Sequence, residues 1–503
     1  MTAGAVRGGS SASPRITVSQ FLRDLALTTI TSVATIAALL LFARLLATGL
    51  GPDGFGAVML ARRVIATLDP LSTFAMGVAV TRFAALADPT ARHRVLTGGT
   101  VLALGAGLIC AVIAIVAAVP LGRLLFGSAA YAPMVRGTAL VVAAYSAFIV
   151  LYAWYRGTDR MTRANAWQLW AIAAGPVCVV WLVARPGSEW EILAWLAALL
   201  ATAAPPLAWE IARPPDGRVV LDWSVTRALA AYAAPRVPGG LAFGALLAVA
   251  PVMAPHVTSL AAVGYVATGQ ALLRVVEGAT EAFGRVSLAK VSQLFAAGEQ
   301  TMLRERIGDL SAVVVHIGLF AMCQLWLWAP ELVRVWLGPE YEPGVPVVRL
   351  VVLAVLPYLL FVTLRSVLDA VEERAVNATN LYAAIGVTVA GSIVLGRRYG
   401  AEGLAAAMTA GLAVLGALTF AAVHRRYPFA TRLLMLPQVL LLNGVLLAVA
   451  AAARVAAARF GGNEIGAALV TELTLTAAYG VVLWHLGARW MREIGRRIQV
   501  RPA

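Results

Sequence analysis

The 503 residues are 60% hydrophobic and only 13% charged, and their mean hydropathy is +0.82. A soluble chain carries about 25% charged residues, so this composition excludes a soluble enzyme or binding module and places the chain in a bilayer. The formal net charge of +15 comes almost wholly from arginine, with Lys290 the sole lysine. It falls in short loops between apolar runs, which indicates membrane topology rather than a nucleic-acid surface.

Residues 1–20 form a polar, Gly- and Ser-rich tail holding Arg7 and Arg15, expected to be a disordered cytoplasmic segment. No small-residue cleavage site follows the first apolar run, so the first helix is expected to be a retained span rather than a signal peptide. Runs of about 20 apolar residues predict fourteen spans in order: 25–47, 57–86, 95–119, 134–155, 164–184, 189–211, 227–254, 264–296, 308–330, 346–370, 377–396, 401–423, 433–457 and 465–488. The expected fold is an all-α polytopic membrane protein of about 14 transmembrane helices. The tails and the loops after even-numbered spans hold 21 of the 40 Lys and Arg, among them Arg92, Arg94, Arg160, Arg163, Arg213, Arg218, Arg425 and Arg426. The opposite loops hold 6 and the spans hold 13. The positive-inside rule then places both termini in the cytoplasm.

The chain repeats itself. Gly54-Phe55 opens a helical segment carrying Arg62, Arg63 and Asp69, and Gly264-Tyr265, 210 residues later, opens one carrying Arg274, Glu277, Glu281 and Arg285. Arg123, Gly127, Tyr131 and Pro133 recur as Arg334, Gly338, Tyr341 and Pro343, at spacings of 210 or 211. Six spans per repeat is an even number, so the repeats are parallel and related by an axis along the membrane normal. The expected organisation is an N-lobe over 21–212, a C-lobe over 222–424, two extra helices over 433–488 and a basic cytoplasmic tail over 489–503. Related halves with ionisable residues in apolar helices are the signature of an alternating-access transporter.

At 100° per residue, Arg274, Glu277, Glu281 and Arg285 fall within one stripe of about 80°, and Arg62 and Asp69 share a face with Arg63 beside them. A charge in a spanning helix costs roughly 2.5–3.5 kcal/mol on insertion scales, so such groups face a partner or a wet cavity. Two charged stripes predict one central cavity between the halves, lined by Arg62, Arg63, Asp69, Arg236, Arg274 and Arg285. The excess of arginine favours an anionic substrate, for which the planar guanidinium suits phosphate. Glu277 and Glu281 are candidates for binding a coupling proton or cation. The alternative is that Arg274–Glu277 and Glu281–Arg285 are intrahelical ion pairs that lower insertion cost. In span 7, Pro235, Pro238, Pro251 and Pro255 with Gly239-Gly240 predict a kinked or broken helix.

Trp154, Trp167, Trp170, Trp326, Trp328 and Trp484 are read as an aromatic belt. Cys110, Cys178 and Cys323 read as buried small hydrophobes with no metal-ligand spacing. No metal or cofactor is expected, and no catalytic residue. His256 and His316 read as hydrogen-bonded structural residues.

ARLLATGLGPDGFGAVMLA (43–61) with Thr81-Arg82-Phe83, ELVRVWLGPEYEPGVPVVRL (331–350) and GRRYGAEGLAAAMTAGLAV (396–414) resemble turns of the polysaccharide/O-antigen flippases of the multidrug/oligosaccharidyl-lipid/polysaccharide exporter superfamily. The resemblance implies a multi-pass plasma-membrane flippase moving an undecaprenyl-diphosphate-linked oligosaccharide by alternating access. It implies contact with membrane lipids and with the glycan polymerase and ligase of the same pathway, and none with nucleic acid. Lipid II flippases and cation-coupled exporters of the same superfamily are alternatives. Span 1 carries Arg44 in FARLLATGLG rather than the serine/threonine-arginine pattern of lipid II flippases. A membrane glycosyltransferase or polymerase is the competing enzyme class, and no sizeable acidic loop supports it.

Overall fold

The structure, a computed structural model, describes residues 18–214, 217–296, 299–371, 376–459 and 464–485. Its helices group into fourteen passes. Passes 1 and 2 are one run, Val18–Ser72, broken at Gly51, followed by Met76–Leu86. Pass 3 is Pro89–Val116 and pass 4 is Ala132–Gly157. Pass 5 runs from Met161 to Val183 through a one-turn π-helix at Leu169–Ala174, and pass 6 joins Glu189–Ala201 to Ala204–Ile211. Pass 7 joins Trp223–Ala233 to Arg236–Val257, and pass 8 is Leu260–Ala296. Pass 9 is Gln300–Leu327, and pass 10 joins Val345–Val352 to Val355–Val371. Passes 11 and 12 are Val376–Arg426 broken at Gly400; passes 13 and 14 are Leu436–Arg459 and Glu464–His485.

Among the described residues nine helices are long and apolar enough to cross a bilayer, and a tenth if the bent pair of pass 10 counts as one. Two of the nine, of 47 and 50 residues, each hold two passes, because a glycine reverses the chain inside them. Gly51 (φ 71°, ψ 179°) and Gly400 (φ 59°, ψ −131°) adopt backbone that a side chain would strain, so the reversal needs no loop. Pass 8, of 37 residues, carries the charged stripe, and pass 14 is a helix of 22 residues. The fourteen expected spans and the fourteen passes therefore correspond, although pass 2 begins five residues earlier than its apolar run.

The repeated landmarks fold alike. Ala118–Phe126 ends at Gly127 (φ 77°) and is followed by a 3-10 turn, Ala129–Tyr131; Ala329–Trp336 is followed by Gly338 (φ 114°) and the 3-10 turn Pro339–Gly344. These turns lie at the end opposite the arginine-rich loops, which we call the basic end.

One buried cluster runs through both repeats, from Phe42 and Leu46 in pass 1 to Leu412 and Leu415 in pass 12. A second, including Leu310, Leu364, Val423 and Tyr479, seats passes 13 and 14 against passes 9, 10 and 12. At that seam the Tyr479 hydroxyl donates to the His316 carbonyl at 2.9 Å, and a His316 ring nitrogen meets the Leu434 carbonyl at 2.9 Å. The His256 ring likewise meets the Leu124 carbonyl at 2.8 Å, so both histidines are tied to backbone.

Packing corrects two expectations and narrows a third. Trp154 and Trp328 are buried rather than belted, and the Trp154 indole donates to Glu210 at 3.0 Å. Cys178 is exposed on the outer surface and Cys110 and Cys323 are half-buried, so none is a core residue. Pass 7 breaks only between Ala233 and Arg236, while Pro251 and Pro255 sit inside a continuous helix. The reason for the last lies in a neighbour. Pro251 leaves the carbonyl of Leu247, four residues earlier, without its helical donor, and the Gln270 amide of pass 8 donates to that carbonyl at 2.9 Å.

Candidate functional site

Passes 1, 2, 4, 5, 6, 7 and 8 enclose a cavity of about 520 Å³, within the size range of ligand sites. Its wall is mostly apolar, from Leu39, Phe42, Met59, Val141 and Leu196. Into it project Arg62, Arg63 and Asp69 from pass 2 and Gln270 and Arg274 from pass 8. The two charged stripes read from the sequence therefore meet, one from each repeat, with three guanidiniums against one carboxylate.

Each charged group is held differently. The Arg62 guanidinium lies 4.2 Å from the Phe42 ring centroid, a cation–π contact, and its buried Nη1 has no hydrogen-bond partner among the described residues. Arg63 donates from Nη2 to the Gln270 carbonyl oxygen, so the residue that caps Leu247 also aims Arg63. Gln270 is four residues before Arg274, hence on the same helix face. Arg274 is exposed on the cavity wall. Asp69 accepts from the Thr73 hydroxyl, at 3.4 Å, just above the break at Phe74 (φ 48°) and Ala75 (φ 50°), both in the left-handed region. That break frees the Ser72 carbonyl, which accepts from the Ser146 hydroxyl of pass 4 at 3.2 Å.

The remaining predicted residues fall elsewhere. Arg236 does not line the cavity; it lies lower on pass 7, toward the basic end, stacked on Tyr232 with its guanidinium carbon 3.6 Å from the ring centroid. Pro251 does line the cavity and follows Arg236 by fifteen residues, about 22 Å of helix. Arg236 thus shares the helix with the site but not its depth. Glu277 accepts a hydrogen bond of 2.6 Å from the Tyr358 hydroxyl of pass 10 and is not among the lining residues. The side chains of Glu281 and Arg285 lie outside the described residues. No group of His, Cys, Asp or Glu arranged to hold a metal occurs among the described residues.

Sequence reasoning missed Gln270 and Tyr358. Gln270 was detectable as a polar residue one turn before Arg274 in the same stripe. Tyr358 carried no local signal, because its role depends on how pass 10 packs on pass 8.

At the end opposite the basic loops the repeats are joined. Asp53 Oδ1 accepts from the Ala261 amide at 2.9 Å, the Tyr341 hydroxyl donates to the Ala47 carbonyl at 3.1 Å, and the Trp336 indole donates to the Leu40 carbonyl at 2.8 Å. Arg44 donates to the Val335 and Trp336 carbonyls. Phe55 meets Tyr341 edge-on at 5.5 Å, and Tyr265 meets the same ring at 6.4 Å. The cavity is closed on that side.

Fourteen passes among the described residues, a repeated turn and a charged cavity between repeats define a polytopic helical membrane protein. Solved transporters share the fold. A lipid II flippase, MurJ, in an inward closed conformation superimposes with a TM-score of 0.71 at 13% identity, over 92% of this chain and 99% of its own. An inward-facing MATE-family multidrug resistance transporter of the MOP superfamily gives 0.66 at 13% identity, over 79% of this chain and 98% of its own. The eukaryotic MATE transporter AtDTX14 gives 0.57 at 13% identity, over 80% and 96%. No protein-family model matches the sequence, and no curated protein matches it. The similarity is one of fold.

Proposed function

We propose that the chain is a transporter that moves an anionic, lipid-linked saccharide across the plasma membrane by alternating access between two six-pass lobes. The carrying observation is the convergence of Arg62, Arg63 and Arg274 on one apolar-walled cavity, with a buried Arg62 Nη1 donor that has no hydrogen-bond partner among the described residues. Buried donors are almost always paired, so an unsatisfied guanidinium nitrogen on a residue that lines the cavity favours an anionic oxygen from a ligand. A diphosphate bridging lipid and sugar supplies such oxygens, and its apolar tail can stay in the bilayer. The leading substrate is an undecaprenyl-diphosphate-linked oligosaccharide for surface polysaccharide synthesis. On this reading the basic end and both termini face the cytoplasm, and the polymerase and ligase of the pathway are partners. Lipid II is the second reading, favoured by the 92% of this chain that superimposes on the MurJ flippase, against 79% on the MATE transporter. Both substrates share the lipid diphosphate.

The experiment is leaflet-resolved accumulation of lipid-linked sugars in a strain lacking the chain. Build-up in the cytoplasmic leaflet, relieved by the wild type and not by Arg62→Gln or Arg274→Gln at equal membrane abundance, is the expected result. The chemical identity of the accumulated lipid separates the two substrates. Absence of any build-up would overturn the assignment in favour of a small-molecule exporter.

A further inference from the structure

A second arginine cluster stands outside the cavity. Tyr232, in the first part of pass 7, carries two guanidiniums: that of Arg236 with its carbon 3.6 Å from the ring centroid, and that of Arg82 from pass 2 at 4.9 Å. Arg82 also donates from Nη1 to the Tyr232 hydroxyl at 3.2 Å, and Arg236 donates to the Tyr232 carbonyl. Phe83 packs edge-on against the same ring at 5.6 Å. Both arginines are exposed, and among the described residues no carboxylate pairs with either. One ring thus holds two like charges together without a counter-charge, in a planar geometry that presents guanidinium edges to an incoming group.

Tyr232 and Arg236 flank the break between Trp223–Ala233 and Arg236–Val257, in the half of pass 7 nearer the basic end. Arg236 precedes Pro251 by about 22 Å of helix. Phe243, seven residues after Arg236 and so on the same helix face, stacks on Tyr358 at 6.4 Å and lies under the Arg365 guanidinium at 5.5 Å. Pro251, further along the helix, lines the cavity.

We propose that Arg82, Tyr232 and Arg236 form a phosphate-binding site at the mouth of the cavity, which takes the phosphate of an anionic group before it reaches Arg62, Arg63 and Arg274. The route rests on the transport reading above; the binding itself does not. Phosphate from a lipid headgroup and free phosphate share the required chemistry.

The test is equilibrium binding of radiolabelled pyrophosphate to the full chain in nanodiscs of zwitterionic lipid, using Arg62→Gln/Arg63→Gln/Arg274→Gln as background. Binding that survives in this background, and falls at least tenfold on adding Arg82→Gln/Arg236→Gln, is expected. Tyr232→Phe should bind within about twofold, because the stack remains, whereas Arg236→Lys should weaken binding by roughly tenfold, because charge alone does not reproduce the planar fork. The lysine variant also serves if the double glutamine variant does not yield monodisperse protein. Displacement by geranylgeranyl diphosphate at lower concentration than by unlabelled pyrophosphate assigns the site to a lipid headgroup; equal displacement assigns it to free phosphate. Binding unchanged by both the glutamine and the lysine substitutions, or no binding in the background, overturns the proposal. Because the background lacks the cavity arginines, a failure of the transport reading leaves this result unaffected.

Discussion

Asp53, in the first turn of pass 2, accepts a hydrogen bond from the backbone amide of Ala261, in the first turn of pass 8, at 2.9 Å. The first amides of any helix lack intrahelical acceptors. Here the acceptor comes from the other repeat, so a helix cap doubles as a tie between halves. The carboxylate also lies at the positive end of the pass 8 dipole.

Asp53→Ala should loosen the closed end. A hydrogen bond of this kind contributes about 0.5–1.5 kcal/mol, so the ratio of closed to open molecules should fall by up to roughly tenfold. Spin-label distances between the starts of passes 2 and 8 would read this as a broadened or longer distribution. An unchanged distribution would mean that the aromatic contacts at Tyr341 hold the end alone.

Gly56 sets two effects against each other. Alanine favours helix by about 1 kcal/mol, but a Cβ at position 56 would lie 1.8 Å from the Leu260 carbonyl oxygen. That distance cannot be met without separating passes 2 and 8, so the clash dominates. Gly56→Ala should abolish the closed arrangement while leaving helix content unchanged by circular dichroism. A Gly56→Ala protein with wild-type closure would contradict the packing described here.

Glu210 joins three partners at the basic end. It accepts from the Trp154 indole at 3.0 Å and from Arg160 at 2.9 Å, and Arg163 lies 3.6 Å away. Glu210→Ala leaves a buried indole donor and two unbalanced charges. The expected loss is roughly 1–3 kcal/mol, visible as a lower midpoint in thermal unfolding of the detergent-solubilised chain. Glu210→Gln keeps an acceptor and should lose less.

Asp222 caps pass 7, accepting from the Ser224 hydroxyl at 2.6 Å and amide at 2.9 Å, and it pairs with Arg94 of pass 3 at 3.2 Å. The Ser224 hydrogen bonds, with smaller help from Val225 and Arg94, hold its carboxyl below the usual carboxylate range. A depressed folded value means that the stabilisation is present above the ordinary aspartate value of about 4 and disappears as pH falls through the lower folded value. Asp222→Asn should therefore be less stable than the wild type at pH 7 and converge with it below about pH 4, because the amide behaves as the protonated carboxyl at every pH. A wild-type acid profile in the variant would show that other groups set it.

The membrane class, the fourteen passes and the repeat were legible because they rest on local properties. Apolar run length and the insertion cost of a charge belong to one helix at a time, so Arg62, Arg63, Asp69 and Arg274 announced a cavity from spacing alone. Helical periodicity gives the face of a side chain but not the depth of its neighbours. Arg236 shares a helix with the cavity wall, yet about 22 Å of rise separates it from Pro251. Pro251 and Pro255 signalled a break that Gln270 helps avoid by supplying a donor from another helix.

The sequence by itself determined that this chain lives in a bilayer, that it is built twice over, and that it carries arginine where lipid would reject it. Only the tertiary structure decided which arginines share a cavity, that Gln270 aims Arg63, that Tyr358 holds Glu277, and that Arg82 and Arg236 meet on Tyr232. The hydrogen-bonded pairs Glu277–Tyr358, Arg82–Tyr232 and Arg63–Gln270 lie 81, 150 and 207 positions apart. Such pairings depend on the rotation and depth of one helix against another, and packing sets both only after every helix has formed.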